Sequence, residues 1–383
     1  MLPLSYAVRN LFRSQSRMLQ TVLGSGLVVM LVMAAVSINL GMSRVLATSG
    51  SPHHVILVGA GSEESIQRSE ISDQVPEIAS AAIPGISEEL GVRAVGGEIH
   101  HMTYVFLDGG KKAQSLVRGV TPQALSVYPQ VRLTGGRFPG SGEVLVGRLA
   151  WRRFGIDENG IQPGSTLSTE GQRMTVSGIF AAPGTVLESE LWVPLGDLKV
   201  LAKRETLSCV VMRLQDPTAF DDADLFTKQR LDLEISAIRE SDYYQSLDTF
   251  YKPLRAITWI TAGLIASGAL LGGFNTLYAA FAPRIREMAT LQAIGFGRGS
   301  LWLSLVQEST LASLIGTLLG SITAVFLLDG RTVPFSMATF RLEIEFPVAF
   351  SGIATGLLLG LLGAIPPAIR CLAPSLHAAL RSS

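Results

Sequence analysis

Charge is missing from four long stretches of this sequence, and nothing else in it limits the fold as strongly. No charged residue lies between Arg17 and Arg44, between Arg255 and Arg284, or between Glu345 and Arg370; from Gly299 to Leu328 the only charge is Glu308. A helix needs about 20 apolar residues to cross the hydrocarbon core of a bilayer, so each stretch is long enough. Charged residues make up only 16% of the 383-residue chain, below the roughly 25% of soluble domains. The expected fold class is membrane α-helical, with four transmembrane helices, plus an α+β extracytoplasmic domain with a β-rich insert. The spans are expected at 18–43, 256–282, 300–328 and 346–367. Their cores are rich in Gly, Ala and Ser, which let membrane helices approach closely, and the glycines of spans two to four read as packing residues.

The remaining charges orient the chain. Arg9, Arg13, Arg17, Arg284, Arg286, Arg298, Arg370 and Arg381 lie in the segments 1–17, 283–299 and 368–383, with Glu287 as the one acid. Residues 44–255 hold 26 of the 31 acids. The positive-inside rule places the amphipathic N-terminal segment, the 283–299 loop and the tail in the cytoplasm. The 44–255 domain and the 329–345 loop then lie outside. The first span is read as a retained signal anchor, because it is too long for a signal peptide and "AVSINLGMSRV" is a poor cleavage site. Cys209 and Cys371 fall on opposite sides of the membrane and are not expected to pair.

The outer domain mixes patterns. "HHVILVGA" (53–60) reads as a strand, and 65–80 has helical polar spacing that Pro76 must start or kink. Residues 91–109 alternate like a pair of strands. Short apolar runs punctuated by Gly and Pro fill about 110–200, the β-rich insert. "SCVVMRL" reads as a strand, 219–233 as a helix, "EISAIRES" as a strand, and 242–256 runs helically into span two.

Chemistry is sparse. His53-His54 and His100-His101 are adjacent pairs on strands, so each offers one ligand per face, and neither has the spacing of a metal site. They read as ordinary strand histidines, and no metal site is expected. "VGAGSEES" lacks the third glycine of a dinucleotide fingerprint. The only Gly-Lys, Gly110-Lys111, is followed by Lys112 and preceded by Val105 where a phosphate-binding loop needs glycine. No catalytic residue or bound cofactor is expected in this chain, and no nucleic-acid partner.

One segment demands a role. "APRIREMATLQAIGFGRGS" (282–300) places a cationic helix, opened by Pro283 and closed by Gly295, between two spans. It resembles the segment after span two in FtsX-like, MacB-type permeases of ABC transporters, matching at Arg284, Arg286, Glu287, Leu291, Ala293 and Gly295. It departs at Ala289, Gln292 and Phe296. Glu308, Gly316 and Gly320 continue the pattern. The opening Ala7, Arg9, Asn10, Leu11 and Arg17 is similar to the family's start. Gly136, Arg137, Phe138, Glu143, Val144, Gly147, Ala150, Gly155 and "TVSGIF" resemble a MacB-like periplasmic core domain. Pro366, Ala368, Arg370, Pro374, Leu380 and Arg381 resemble the family's ending.

The resemblance implies a bacterial inner-membrane permease that passes an ATPase's motion to its periplasmic domain. The exported or extracted substrate would be a lipid, lipoprotein, peptide or drug-like molecule. The implied partners are an ABC ATPase subunit in two copies, binding ATP and Mg²⁺ itself, and a second permease in a homodimer or heterodimer. A periplasmic adaptor and membrane lipid are optional further partners. The coupling residues would be Arg284, Arg286, Glu287, Leu291, Ile294 and Gly295, with Leu291 and Ile294 reaching apolar pockets of the ATPase. Glu287 three residues after Arg284 also fits a simple intrahelical ion pair. Glu308, about two turns into span three, reads as an intramembrane brace, because an ionised carboxylate there is costly without a partner. The alternative is an FtsX-like regulator that activates a periplasmic partner such as a cell-wall hydrolase. A ligand-sensing receptor would need a cytoplasmic signalling domain, which is not expected here.

Overall fold

The computed structural model describes residues 4–13, 15–89, 91–107, 110–335 and 338–374, and only the backbone of Leu4, Ser5, Arg17 and Glu158. Leu380 and Arg381 of the expected family ending lie outside the described residues. The chain opens with α1 (Leu4–Arg13) and α2 (Gln15–Ser49), then β1 (His54–Gly59) and α3 (Val75–Ala82). The short strands β2 (Glu88–Glu89) and β3 (Val92–Arg93) precede β4 (Val95–Leu107), β5 (Lys112–Val120) and α4 (Ala124–Val127). Next come β6 (Arg132–Gly136), β7 (Glu143–Gly147), β8 (Thr166–Thr169), β9 (Gln172–Ala181) and β10 (Leu191–Pro194). Helix α5 (Leu195–Ala202), β11 (Cys209–Arg213), α6 (Phe220–Gln229), β12 (Ile235–Arg239) and α7 (Glu240–Phe250) follow. The rest is α8 (Lys252–Phe281), α9 (Ile285–Ala293), α10 (Arg298–Leu328), the hairpin β13 (Thr332–Phe335) and β14 (Ala338–Arg341), and α11 (Phe346–Leu372). Two compact units result: residues 1–40, 253–331 and 342–383, and residues 41–252 with 332–341.

The first unit is helical. Among the described residues, four helical segments are long and apolar enough to cross a membrane: Met18–Ser49, Glu240–Ala293, Arg298–Leu328 and Phe346–Leu372. Lipid tails are as apolar as leucine, so membrane helices gain little from apolar contact alone and associate through close packing and hydrogen bonds. Glycine supplies that closeness here. A Cβ on Gly316 would collide with the Val22 carbonyl and the Ser25 hydroxyl, and one on Gly320 with the Gly26 backbone, so α10 lies directly against α2. Across α10 and α11, a Cβ on Gly360 would come within 2.9 Å of Thr310 Cα, and Ser313 Oγ donates to the Gly356 carbonyl at 2.7 Å. Span two differs from the expectation for its glycines. Gly263, Gly268, Gly272 and Gly273 of α8 have no heavy atom within 4 Å of a Cβ position, so they are not packing residues within this chain. Helix α11 also runs past Pro366 and Pro367 to Leu372. Prolines are tolerated inside membrane helices where neighbours satisfy the freed backbone groups.

The second unit is built on a ten-stranded sheet of order β12-β1-β11-β4-β5-β10-β7-β9-β6, with β8 against β4 and β9. Pairing is antiparallel except for β5–β10 and β7–β9. Residues 91–109 do not form the expected pair of strands. After the two-residue β3, one 13-residue strand takes β11 along its first part and β5 and β8 along its second. Gly96 and Gly97 stay extended, paired with Val211 and Val210, and the Leu207 side chain lies 2.7 Å from a Cβ position on Gly97. In 65–80 only a 3₁₀ turn (Ile66–Arg68) forms before α3, which starts with Pro76 in its first turn, where the missing N–H costs nothing. The 329–345 loop is structured too. Its hairpin belongs to this unit through Thr339 N–H to Ser189 Oγ (2.9 Å), Arg153 to the Ala338 carbonyl (3.3 Å), and Phe335 edge-on to Tyr251.

Strand alternation sorts the sheet's faces. Val55, Leu57, Ile99, Val117, Leu191, Val193, Val210 and Met212 join the apolar core. The alternate positions are buried as well, yet they carry His54, Glu98, His100, Arg118, Trp192 and Cys209.

Candidate functional site

The 283–299 segment is shaped by its ends. Pro283 lies in a 3₁₀ turn (Ala282–Arg284) that leads into α9. At the other end Gly295, at φ +107°, lets Phe296 N–H reach the Leu291 carbonyl (3.1 Å) and its own N–H reach Gln292 (3.0 Å). This is a Schellman C-cap, and its apolar clasp is present because Leu291 and Phe296 pack on one cluster. That cluster includes Phe281, Met288, Leu301, Leu305 and Leu372. Leu291 is half-buried against the chain's own apolar cluster. The amphipathic period decides this, since Leu291 shares a face with Met288. Ile294 is 72% exposed and Arg286 is exposed, so these two residues do face outward.

The segment's charges are tied inward. Arg284 Nη1 donates to both Glu308 carboxylate oxygens at 2.7 and 3.0 Å, with both side chains about 15% exposed or less. The i,i+3 contact to Glu287 is longer, 3.7 Å. Glu287 accepts from Arg13 of α1 at 3.0 Å. One chain of charges, Arg13–Glu287–Arg284–Glu308, thus links α1, α9 and α10.

A second constellation was not legible in the sequence. In the outer unit the register sets Glu98 opposite Cys209, His100 opposite Arg118, and Arg118 beside Trp192. The Arg118 guanidinium forks onto Glu190, with two contacts of 2.7 Å, and its Nη1 reaches Glu98 at 2.5 Å and Tyr128 at 3.2 Å. His100 lies 3.0 Å from Glu98, and Trp192 Nε1 donates to Glu190. From α7, Glu240 meets His54 at 2.7 Å. Burial alone would raise the Glu98 pKa, but the Arg118 charge and the His100 hydrogen bond outweigh it and hold the carboxyl down at about 2. Burial and then Arg118 push His100 downward, so it is neutral, and burial pushes the Cys209 thiol up.

Glu98, His100 and Cys209 bring three ligand atoms within 4.8 Å of one another, a grouping the sequence analysis did not anticipate. The Arg118 guanidinium holds one Glu98 oxygen, Oε2, while Oε1 is buried without a hydrogen-bond partner. Of the histidine pairs, His54 and His100 point inward, whereas His53 is exposed and His101 half-buried. Both cysteines are free and buried.

Four apolar helices with an α+β outer domain define a multi-span membrane protein that carries an extracellular domain. More specifically, the chain belongs to the MacB/FtsX-type ABC-transporter permeases: the MacB-like periplasmic core domain matches residues 18–224 and the FtsX-like permease C-terminal region matches 259–376. Membership in this family implies an ATPase partner. No curated protein matches the sequence. Among solved structures, the periplasmic region of MacB from Actinobacillus actinomycetemcomitans is 12% identical, covering 52% of this chain and 94% of its own, with a TM-score of 0.40. The extracellular domain of the noncanonic ABC-type transporter YknZ from Gram-positive bacteria is 14% identical, covering 49% and 100%, with a TM-score of 0.37.

Proposed function

We propose that this chain is the non-catalytic permease of a bacterial inner-membrane ABC transporter that works by mechanotransmission. ATP and Mg²⁺ are bound by the partner ATPase. Two ATPases and two permeases form the complex, and closure of the ATPases displaces α9. The outer domains respond and move a lipid, lipoprotein, peptide or drug-like substrate on the outer side. The observation that carries this reading is the two-sided construction of α9. Its inner face is fastened to α10 by the Arg284–Glu308 pair and the Leu291–Met288 cluster, and to α1 through Arg13–Glu287. Its outer face offers Arg286 and Ile294. A mere membrane anchor needs only positive charge. It needs neither an inward brace nor an exposed isoleucine beside a capped end.

The test uses the outward residues, because Glu287 is committed to internal partners. Arg286→Glu combined with Ile294→Asp, in the full chain co-expressed with its ATPase, should leave membrane insertion intact. ATPase co-purification should fall at least fivefold, and substrate-stimulated ATP turnover in nanodiscs should fall with it. Wild-type values for both would remove α9 from the coupling role.

A further inference from the structure

We propose that the membrane unit holds one glycerophospholipid with an amine-and-phosphate headgroup, seated beside Asn10, Arg13 and Arg284 with an acyl chain along the open glycines of α8. Two adjoining cavities, of about 240 and 480 Å³, carry the idea. They share Thr21, Thr276, Leu277 and Ser309 in their walls, so they lie side by side.

The first cavity is charged. Asn10, Arg13, Arg284, Glu287 and Glu308 line it. Asn10 Nδ2 and Arg284 Nη2 are buried donors with no hydrogen-bond partner. A buried donor left unsatisfied is costly, so two in one wall favour an acceptor-rich guest such as a phosphate. Two arginines and two glutamates cancel in charge, and Glu287 remains 39% exposed. A guest carrying both a cation and an anion suits this wall better than a purely anionic one.

The second cavity is lined mainly by small and apolar groups. Gly24, Gly272, Gly273 and Gly363 border it, and none has a heavy atom within 4 Å of a Cβ position. Elsewhere in the same unit, Gly316 and Gly320 are in hard contact with a neighbouring helix, and Gly360, on the wall of the recess itself, closes against α10. The recess is therefore not a general looseness of packing. From Arg284 back to Ala269, which lines its far end, is about 20 Å of helix at 1.5 Å per residue. One leaflet contributes about 15 Å of hydrocarbon, so headgroup and acyl chain match the two compartments in order.

The proposal stands apart from the coupling role, since it is read on the permease alone. The full chain, purified from lipid nanodiscs, is examined by native mass spectrometry with phosphatidylethanolamine, phosphatidylglycerol and phosphatidylcholine offered in equal amounts. One phosphatidylethanolamine per chain should persist. Gly273→Phe projects a ring into the recess from a position whose Cβ has no heavy atom within 4 Å, and Asn10→Leu removes a headgroup donor. Each should cut retention about tenfold while the protein stays monodisperse. Should Gly273→Phe misfold, Asn10→Leu decides alone. Equal retention of the three lipids would overturn the headgroup assignment. Unchanged retention in the variants, or ready disulfide formation between two copies bearing Gly273→Cys, would show that the recess holds something else.

Discussion

Replacing Arg118 by Met tests the buried charge row of the outer domain. The guanidinium is 3% exposed and faces two carboxylates, Glu98 and Glu190, that are as deeply buried. Met keeps the stem and removes the charge, leaving both acids uncompensated. Breaking a buried pair in this way costs about 3–5 kcal/mol. The same balance acts at Glu98, where burial pushes the carboxyl up and the Arg118 charge with the His100 hydrogen bond outweighs it and holds it at about 2. For a domain of this size each kcal/mol moves the Tm by about 2–4 °C, so a drop of roughly 6–20 °C is expected.

Unfolding can be followed through Trp192, which is fully buried and hydrogen-bonded to Glu190. The pH response should also invert. In the native protein Glu98 has a depressed pKa, so its contribution is complete above 4.5 and is lost as pH falls towards 2. In the variant, burial acts on Glu98 without Arg118 and raises its pKa. The folded state then takes up a proton, and stability should increase as pH falls from 7 to 5. Adding Glu98→Gln and Glu190→Gln to Arg118→Met should restore at least half of the lost Tm. A drop below about 3 °C with a flat pH response would refute the claim that this row holds the sheet's inner face together.

Three further outcomes are expected. Glu308→Gln keeps an acceptor for Arg284 and should retain near-native thermal stability in detergent, whereas Glu308→Leu leaves the guanidinium, among carboxylates, only its longer contact to Glu287 and should lose about 1–3 kcal/mol; equal behaviour of the two would show that the pair is not a brace. Gly320→Leu should destroy the monodisperse gel-filtration peak, because the side chain meets the Gly26 backbone, while Gly268→Leu, with no atom within 4 Å, should be tolerated; the opposite order would invalidate the packing of α10 on α2. Single cysteines at the exposed positions Glu64 and Gln172 should react with an impermeant thiol reagent in intact cells and one at Thr290 should not, with little background from the buried Cys209 and Cys371; labelling at 290 would reverse the topology.

Much of the α9 segment could be read from its residues. Pro283 and Gly295 act on their own backbone, and a helix between them follows from local chemistry. Which way each side chain turned could not be read. Leu291 and Ile294 are equally apolar, but only Leu291 shares a face with Met288, so one is half-buried on the chain's own cluster and the other is exposed. Arg284 had a carboxylate three residues away, and the fold offered a closer one 24 residues on. The glycines of α8 and α10 look alike as letters, and only the neighbouring helices distinguish contact from open space.

The sequence by itself determined the four apolar spans and the family resemblance, because hydropathy and turn chemistry act over one helix or a few residues. Tertiary structure alone decided the outer domain's charge row. Glu98, Arg118 and Cys209 come from β4, β5 and β11, and Glu190 comes from the residue just before β10, so the row gathers segments up to about 110 residues apart. Only the pairing register places them on one face, since a slip of one residue would turn each strand's set to the other side.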